Sequence, residues 1–547
     1  SRGLVGGITD PTVNAYLTGA STSTSKSHSL NFYATVHYAY KSKYVLDAAV
    51  RADGSTMFGK EKRWGYFPSI SGRWNISDEL FFRPLKGVIN MFSFAPGWGI
   101  NGNLPNPNVA KTTTIQFNEY NNKGTYGYNG TYMSAIAPAN LRLTTLQWEK
   151  TQSWNLGFNL NFWEDLLCFN LNLYRKNTSE LLQANVKIPS SVGYSKLDWA
   201  NVGRLKNTGW ELNASTKDIF KIGKFSMKVK FNASQNRNRI MEMDASVLST
   251  INGDFNYQNE NYLSRVQIGN ALYSIYGFRY KGVYRYNYDH SGYFADESKN
   301  ALYGENTAAA AAARGENATC PIARDANGNI IFDADGNPLR MYYNYGNTNY
   351  QFAGGDAIYE DINHDGQINE LDIVYLGNSN PSFNGGFGFD FKYGRWTLKT
   401  SFNVRLGADI VNLARMYAED MRTNKNQSAA VSWRWRKNGD ITEIPRAMNV
   451  NAGSSYNALA SDRYVENSDF IRLQYMQLSY TFDKSFLKRL GLGLSALSFS
   501  CSANNLFFLT KYKGVDPEHA ASGYSPAFDD SQTPRSRSIT FSLNFSF

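Results

Sequence analysis

The chain has 547 residues, with 56 Lys+Arg against 46 Asp+Glu and a formal net charge of +10. Charged residues are only 19% of it, against about 25% in an ordinary soluble domain, while Tyr and Phe number 36 and 34, Gly 45 and Pro 15. A mean hydropathy of -0.45 excludes a bundle of membrane helices, and the aromatic content excludes global disorder.

Ser1 is followed by no basic start and no apolar signal core. The expectation is a processed chain or, the reading favoured here, the C-terminal portion (1–547) of a longer protein. Beyond the first 29 residues the dominant period is two. Alternating runs centre near residues 35, 48, 71, 92, 157, 171, 212, 230, 279, 388, 400, 475, 499 and 542, about fourteen in all. In Ser153–Phe162, Trp154, Leu156, Phe158 and Leu160 share one face, and Asn155, Gly157 and Asn159 share the other. Phe225–Ser234, Trp396–Arg405 and Ile539–Phe547 repeat the pattern. A long uncharged stretch, Leu490–Thr510, alternates strictly from Leu497 to Asn504, which suits a strand rather than a helix.

A soluble sandwich also alternates. Three features favour a transmembrane antiparallel β-barrel. The runs are about ten residues long, enough for a tilted strand to cross a bilayer. Their polar faces carry Asn, Ser, Lys and Arg, as beside a wet lumen. Aromatics gather at run ends, as in Tyr38–Tyr40, Phe81–Phe82 and Phe507–Phe508. Short links such as Lys41–Lys43 and Glu164–Asp165 alternate with long polar segments, of which 287–383 is the largest. That is the layout of short turns on one side and long extracellular loops on the other. A change of phase near Tyr475 predicts a bulge. The three cysteines, Cys168, Cys320 and Cys501, read as unrelated thiols.

Within the loops, Asp361–Asp372 (DINHDGQINELD) has the spacing of a twelve-residue calcium loop. Asp361, Asn363 and Asp365 supply oxygens at positions 1, 3 and 5, with Gly366 at the sharp turn. Gln367 offers its carbonyl, Asn369 acts directly or through water, and Asp372 closes the loop. The plain alternative is an Asp/Asn/Gly-rich turn without metal. DANGN (325–329) and DADGN (333–337) read as a tight surface hairpin. Ala308–Ala313 carries no chemistry and is expected as a weakly specified loop. Tyr342, Tyr343, Tyr345 and Tyr350 crowd one stretch rich in Asn. They are candidates for contact with a sugar or peptide, or for the loop's own core. None of the five histidines stands in a catalytic frame, so no enzyme is expected. No nucleic-acid-binding module is recognised; WRWRK (433–437) reads as a solvated or interfacial loop.

Several segments resemble the SusC family of TonB-dependent outer-membrane transporters. They are YVLDAAVRADGSTMFG (44–59), YFPSISGRWN (66–75), LQWEKTQSWNLG (146–157), NVGRLKNTGWEL (201–212), IYGFRYKGVY (275–284), 361–384, and 468–547 with its NNLF and GVDP. The resemblance implies a 22-stranded barrel in the cell outer membrane, plugged by an N-terminal domain absent from this chain. It also implies energy from TonB and a SusD-like surface lipoprotein as lid. The expected cargo is an oligosaccharide, with an oligopeptide close behind. The alternatives are a passive fourteen-stranded pore, whose last strand must pair with Tyr33–Tyr40, and a calcium-dependent adhesin on a barrel anchor.

Overall fold

The computed structural model describes residues 27–59, 61–104, 125–128, 131–134, 143–188, 191, 196–252, 262–300, 304, 306–345, 348–422, 425–448, 456–491, 493–521 and 523–547. The alternating runs become one antiparallel sheet. Its long strands are β1 (Ser29–Tyr40), β2 (Tyr44–Ser55), β3 (Trp64–Asn75), β4 (Ile89–Asn103), β5 (Glu149–Phe162), β6 (Leu167–Ser179) and β7 (Arg204–Thr216). They continue as β8 (Phe225–Glu242), β9 (Phe383–Tyr393), β10 (Trp396–Leu406), β11 (Phe470–Thr481), β12 (Ala496–Thr510) and β13 (Ser538–Ser546). Each pairs with the next, and the short strand Ile219–Ile222 on β8 makes the sheet fourteen-stranded among the described residues.

The two faces separate as the alternation requires. On the outer face Trp154 is 52% and Leu156 41% exposed. Rings meet across neighbouring strands there: Phe94 and Phe158 at 5.2 Å and Trp98 and Trp154 at 6.1 Å are tilted, and Phe387 stacks on Phe402 at 4.6 Å. On the inner face Asn159 donates to Ser93 Oγ at 3.1 Å. At one end the links are tight: β9 and β10 join through Gly394 and Arg395, where Gly394 takes φ +58, as the first residue of such a turn requires. The expected bulge is present: the register of β11 slips between Leu473 and Tyr475 against β12.

One run is misplaced by the sequence reading. The segment near residue 279 is not a barrel strand. It forms the short strands Ser274–Gly277 and Tyr280–Val283, each in a separate small sheet. Ser274–Gly277 is buried throughout, so it has no face to give to lipid. The largest loop therefore runs from the end of β8 to the start of β9, and is longer than 287–383.

The closed fourteen-stranded pore is not formed either. β13 is laddered to β12 and β1 to β2, and among the described residues no ladder joins β13 to β1. Among the described residues both edges of the sheet stand open.

The long loops build a domain of their own beyond the barrel's wide-looped end. Small sheets join Ser274–Gly277 to Val374–Asn378, Tyr280–Val283 to Ala357–Tyr359, and Tyr342–Tyr345 to Thr348–Gln351 and Gln367–Ile368. Another joins Asp409–Asn412 to Val465–Asn467 and Phe528–Asp529. Its main core packs Phe278, Tyr343, Phe352, Tyr359 and Ile368. DANGN and DADGN form two tight turns, with Gly328 and Gly336 at φ +86 and +76. Ala308–Ala313 is a short helix rather than a loop. Thr307 Oγ1 caps it by accepting from Ala310 N at 3.1 Å, and alanine is the best helix former.

Candidate functional site

The Asp361–Asp372 segment folds as a compact loop pinned by its own acids. Asp361 accepts from Asp365 N at 3.2 Å and Gly366 N at 2.8 Å. Asp365 accepts from Gln367 N at 2.8 Å and from the Asn363 amide at 2.9 Å. Asp372 accepts from Ile362 N at 2.8 Å and Asn369 N at 2.9 Å, so it staples the loop's two ends together. Asn369 caps the turn of Glu370–Asp372. Gly366 sits at φ +80, where any added Cβ would also lie 3.0 Å from the Ala323 Cβ. Next to it Ile368 enters the domain core and Gln367 pairs with Tyr342, which fixes the loop to the sheet.

Burial disfavours the charged form of this loop's acids. Asp372 is 0% exposed, and burial pushes its carboxyl up to about 6, further raised by Asp361 and Asp365. Burial also raises Asp361, against the pull of its N–H donors. At neutral pH the loop therefore holds a mostly ionised carboxylate that its surroundings disfavour. The donors are hard oxygens of the kind calcium takes. Their geometry falls short of a closed cage: among the described residues no three His, Cys, Asp or Glu side chains converge closely enough to hold a metal ion. The carboxylates face backbone N–H groups instead of one another.

The tyrosines separate. Tyr343 is 0% exposed and packs 5.2 Å from Tyr456. Tyr350 also stacks on Tyr456, and its hydroxyl donates to Asp356 Oδ2 at 2.7 Å. Asp356, itself 0% exposed, is held by Arg446 Nε at 2.6 Å. Burial and Asp356 push the Tyr350 hydroxyl well above its ordinary range. Tyr343 belongs to the domain's core, because a side chain without free area has none to offer a cargo, whereas Tyr350 is half-buried and packs against that core with part of its ring exposed. Tyr342 is half-buried, and the side chain of Tyr345 lies outside the described residues.

Sequence reasoning missed a charged cluster on the lumen side. Arg472, opposite Asn403 in the ladder, is 3% exposed in side chain and donates to Asp516 at 2.6 Å. Arg405 reaches the carbonyls of His519 and Ser379 at 3.0 and 2.9 Å. Arg535 pairs with Glu518 at 2.6 Å. Together they fasten the segment after β12 to the inner face of β10 and β11. Asp516 belongs to the GVDP motif, so the available signal was an arginine in lumen phase on a strand whose return loop carries acids.

An apolar outer band, a polar inner face and an antiparallel meander with long loops at one end define a transmembrane outer-membrane β-barrel wall. Residues 4–312 match the family described as TonB dependent receptor-like, beta-barrel, and the chain belongs to that family. It is similar to "TonB-dependent receptor P39" of Formosa agariphila, 31% identical over 98% of this chain and 47% of that protein. It is 23% identical to "TonB-dependent receptor SusC" of Bacteroides thetaiotaomicron over 95% of this chain and 44% of that protein. The chain spans about half the length of the curated relatives it matches. Among solved structures, that of the RagAB peptide transporter superposes with a TM-score of 0.67 at 19% identity, covering 95% of this chain and 48% of its own. The SusC resemblance and the outer-membrane location read from the sequence both stand.

Proposed function

We propose that residues 1–547 form the C-terminal part of an active outer-membrane importer of nutrient oligomers, a transporter and not an enzyme. The observation that carries this reading is the open sheet: among the described residues, an apolar-banded wall of thirteen long strands whose two edges are both unpaired. Unpaired N–H and C=O groups facing hydrocarbon are too costly to persist, so further strands must close the wall. That the matched relatives are about twice as long supports an additional N-terminal part holding the first strands and a plug on which TonB acts. A SusD-like lipoprotein lying over the extracellular domain completes the proposal. The cargo is an oligosaccharide or an oligopeptide; the likeness to a peptide transporter bears on the fold alone at 19% identity. The test is uptake of defined oligosaccharides and oligopeptides by cells carrying or lacking the full-length gene, with and without TonB. Loss of one class of uptake in both deletions supports the proposal. Uptake indifferent to TonB favours passive diffusion, and lost attachment with uptake intact favours adhesion.

We further propose that the Asp361–Asp372 loop takes Ca2+. The support is its oxygen-rich spacing and the buried, disfavoured charge of Asp372. Binding requires Asp361, Asp365 and Asp372 to exchange backbone N–H partners for the ion. Calorimetry on the full-length protein, with Asp365→Ala as control, tests it; identical heats would remove the proposal.

A further inference from the structure

Four cations meet on the outward face near the loop-bearing ends of β6, β7 and β8. The ladder sets Trp154 beside Arg175, Arg175 beside Thr208, and Thr208 beside Arg237. One level further out, Gln152, Asn177, Lys206 and Arg239 follow in the same order. Residues two apart in a strand share a face. Leu171 and Leu173 on β6, Leu212 and Trp210 on β7, and Phe231 on β8 therefore lead along the apolar face into these cations. Trp210 marks the boundary, donating its indole N–H to Gln235 at 3.1 Å. The four side chains thus leave the sheet on the side away from the lumen, just past the apolar band.

Their charge is uncompensated. The neighbouring Arg204 is paired with Glu242. Arg175, Lys206, Arg237 and Arg239 have neither an ion pair nor a side-chain hydrogen bond among the described residues. Strand spacing places Arg175 and Arg237 about 10 Å apart, two strands across. A cleft of ≈ 730 Å³ opens beside Arg237 and Arg239, with Lys206, Thr208, Asn270 and Asn380 in its walls. The loop forming its far wall is fixed: Asn238 accepts from Leu272 N at 2.7 Å, and Asn380 donates to Leu272 O at 2.7 Å.

We propose that this patch seats the phosphorylated headgroup of a lipid in the outer leaflet. Level and charge both argue for that occupant. Aromatic girdles lie at the interface, so side chains immediately beyond Trp154 and Trp210 meet headgroups. Guanidinium groups bind phosphate oxygens bidentately, and clustered cations beside a membrane recognise anionic lipid. Cargo moves through the lumen and does not meet this face.

The test uses the full-length transporter in detergent, titrated with bisphosphorylated lipid A, dephosphorylated lipid A and inorganic phosphate, and read by native mass spectrometry. The wild type retains bisphosphorylated lipid A, and Arg237→Gln/Arg239→Gln retains it on the order of thirtyfold less tightly. Arg237→Lys/Arg239→Lys, which keeps the charge but loses the bidentate fork, falls between the wild type and the Gln variant, and Lys392→Gln/Lys399→Gln, which removes lumen-phase charge, binds nearly as well as wild type. Equal retention by Arg237→Gln/Arg239→Gln overturns the proposal. So does equal binding of the dephosphorylated lipid, or full competition by inorganic phosphate at the same concentration.

Discussion

The ring of Tyr350 lies flat on that of Tyr456, with centroids 4.2 Å apart and planes 6° from parallel. The stack sits beside Tyr343, and through the Tyr350 hydroxyl it reaches the buried Asp356 that also holds the half-buried Arg446. Tyr350→Phe keeps the stack and removes one donor to Asp356. It should destabilise the domain by about 1.5–3 kcal/mol, a hydrogen bond to a charged group. Tyr350→Ala should cost more, about 3–5 kcal/mol, as for large-to-small changes in a core. Limited proteolysis between residues 340 and 460 reads both. A change in cargo affinity for Tyr350→Phe at unchanged proteolysis would restore the ring to the cargo surface.

The two faces of β5 should tolerate charge differently. Phe158→Arg, near the middle of the apolar band and against Phe94, should cost about 2–4 kcal/mol. Asn159→Arg, one residue on and facing Ser93, should be mild. Refolding of the full-length barrel into vesicles across a denaturant series compares them, and equal losses would contradict the assignment of faces.

The Asp361–Asp372 loop should open more easily as pH rises. The carboxyl of Asp372 is raised to about 6 in the fold. Its neutral form contributes stability that is fully present below the ordinary carboxylate range and lost as pH passes about 6. Hydrogen exchange at Ile362 and Asn369, whose N–H groups donate to Asp372, should therefore accelerate relative to the intrinsic rate between about pH 4 and pH 7. Asp372→Asn should flatten the profile, and Ca2+ should protect these amides at neutral pH. A flat wild-type profile would mean that the carboxyl is hydrated.

The open edge at β13 should be occupied in the whole protein. Its residues bond to β12 on one side only. In the full-length protein, amides of both alternating sets from Ser538 to Ser546 should exchange slowly. If every second amide exchanges at the rate of a free edge, the strand remains unpaired and the proposed longer barrel fails.

Much of this architecture was legible because a strand's side-chain period is two and leaves a direct imprint, as at Trp154–Leu160 and Ile539–Phe547. The bulge near Tyr475 was legible for the same reason, since an extra residue shifts the phase. The run near residue 279 misled because a short buried strand and a membrane strand carry the same residue types. What separates them is whether a face meets lipid, and Ser274–Gly277 has both faces covered. Tyr343 and Tyr350 were ambiguous in the same way, as a flat ring suits a core or a sugar equally. The cations at Arg175, Lys206, Arg237 and Arg239 were invisible as a group. They come from three strands, and only the register aligns them.

Lys230 and Asp390 touch at 3.1 Å on adjacent strands although 160 positions separate them in the chain. All their neighbours to either side are joined by far shorter connections, so this is the seam where the wall is slowest to zip. The entropic charge for closing so long a loop grows only logarithmically, by about 0.6 kcal/mol per doubling. The larger obstacle is order of events. A domain with its own core, if it condensed before β8 and β9 met, would have to be passed across the bilayer as a folded body. The order that avoids this has the hairpins on either side enter the membrane before the outer domain condenses, with that domain's core forming last.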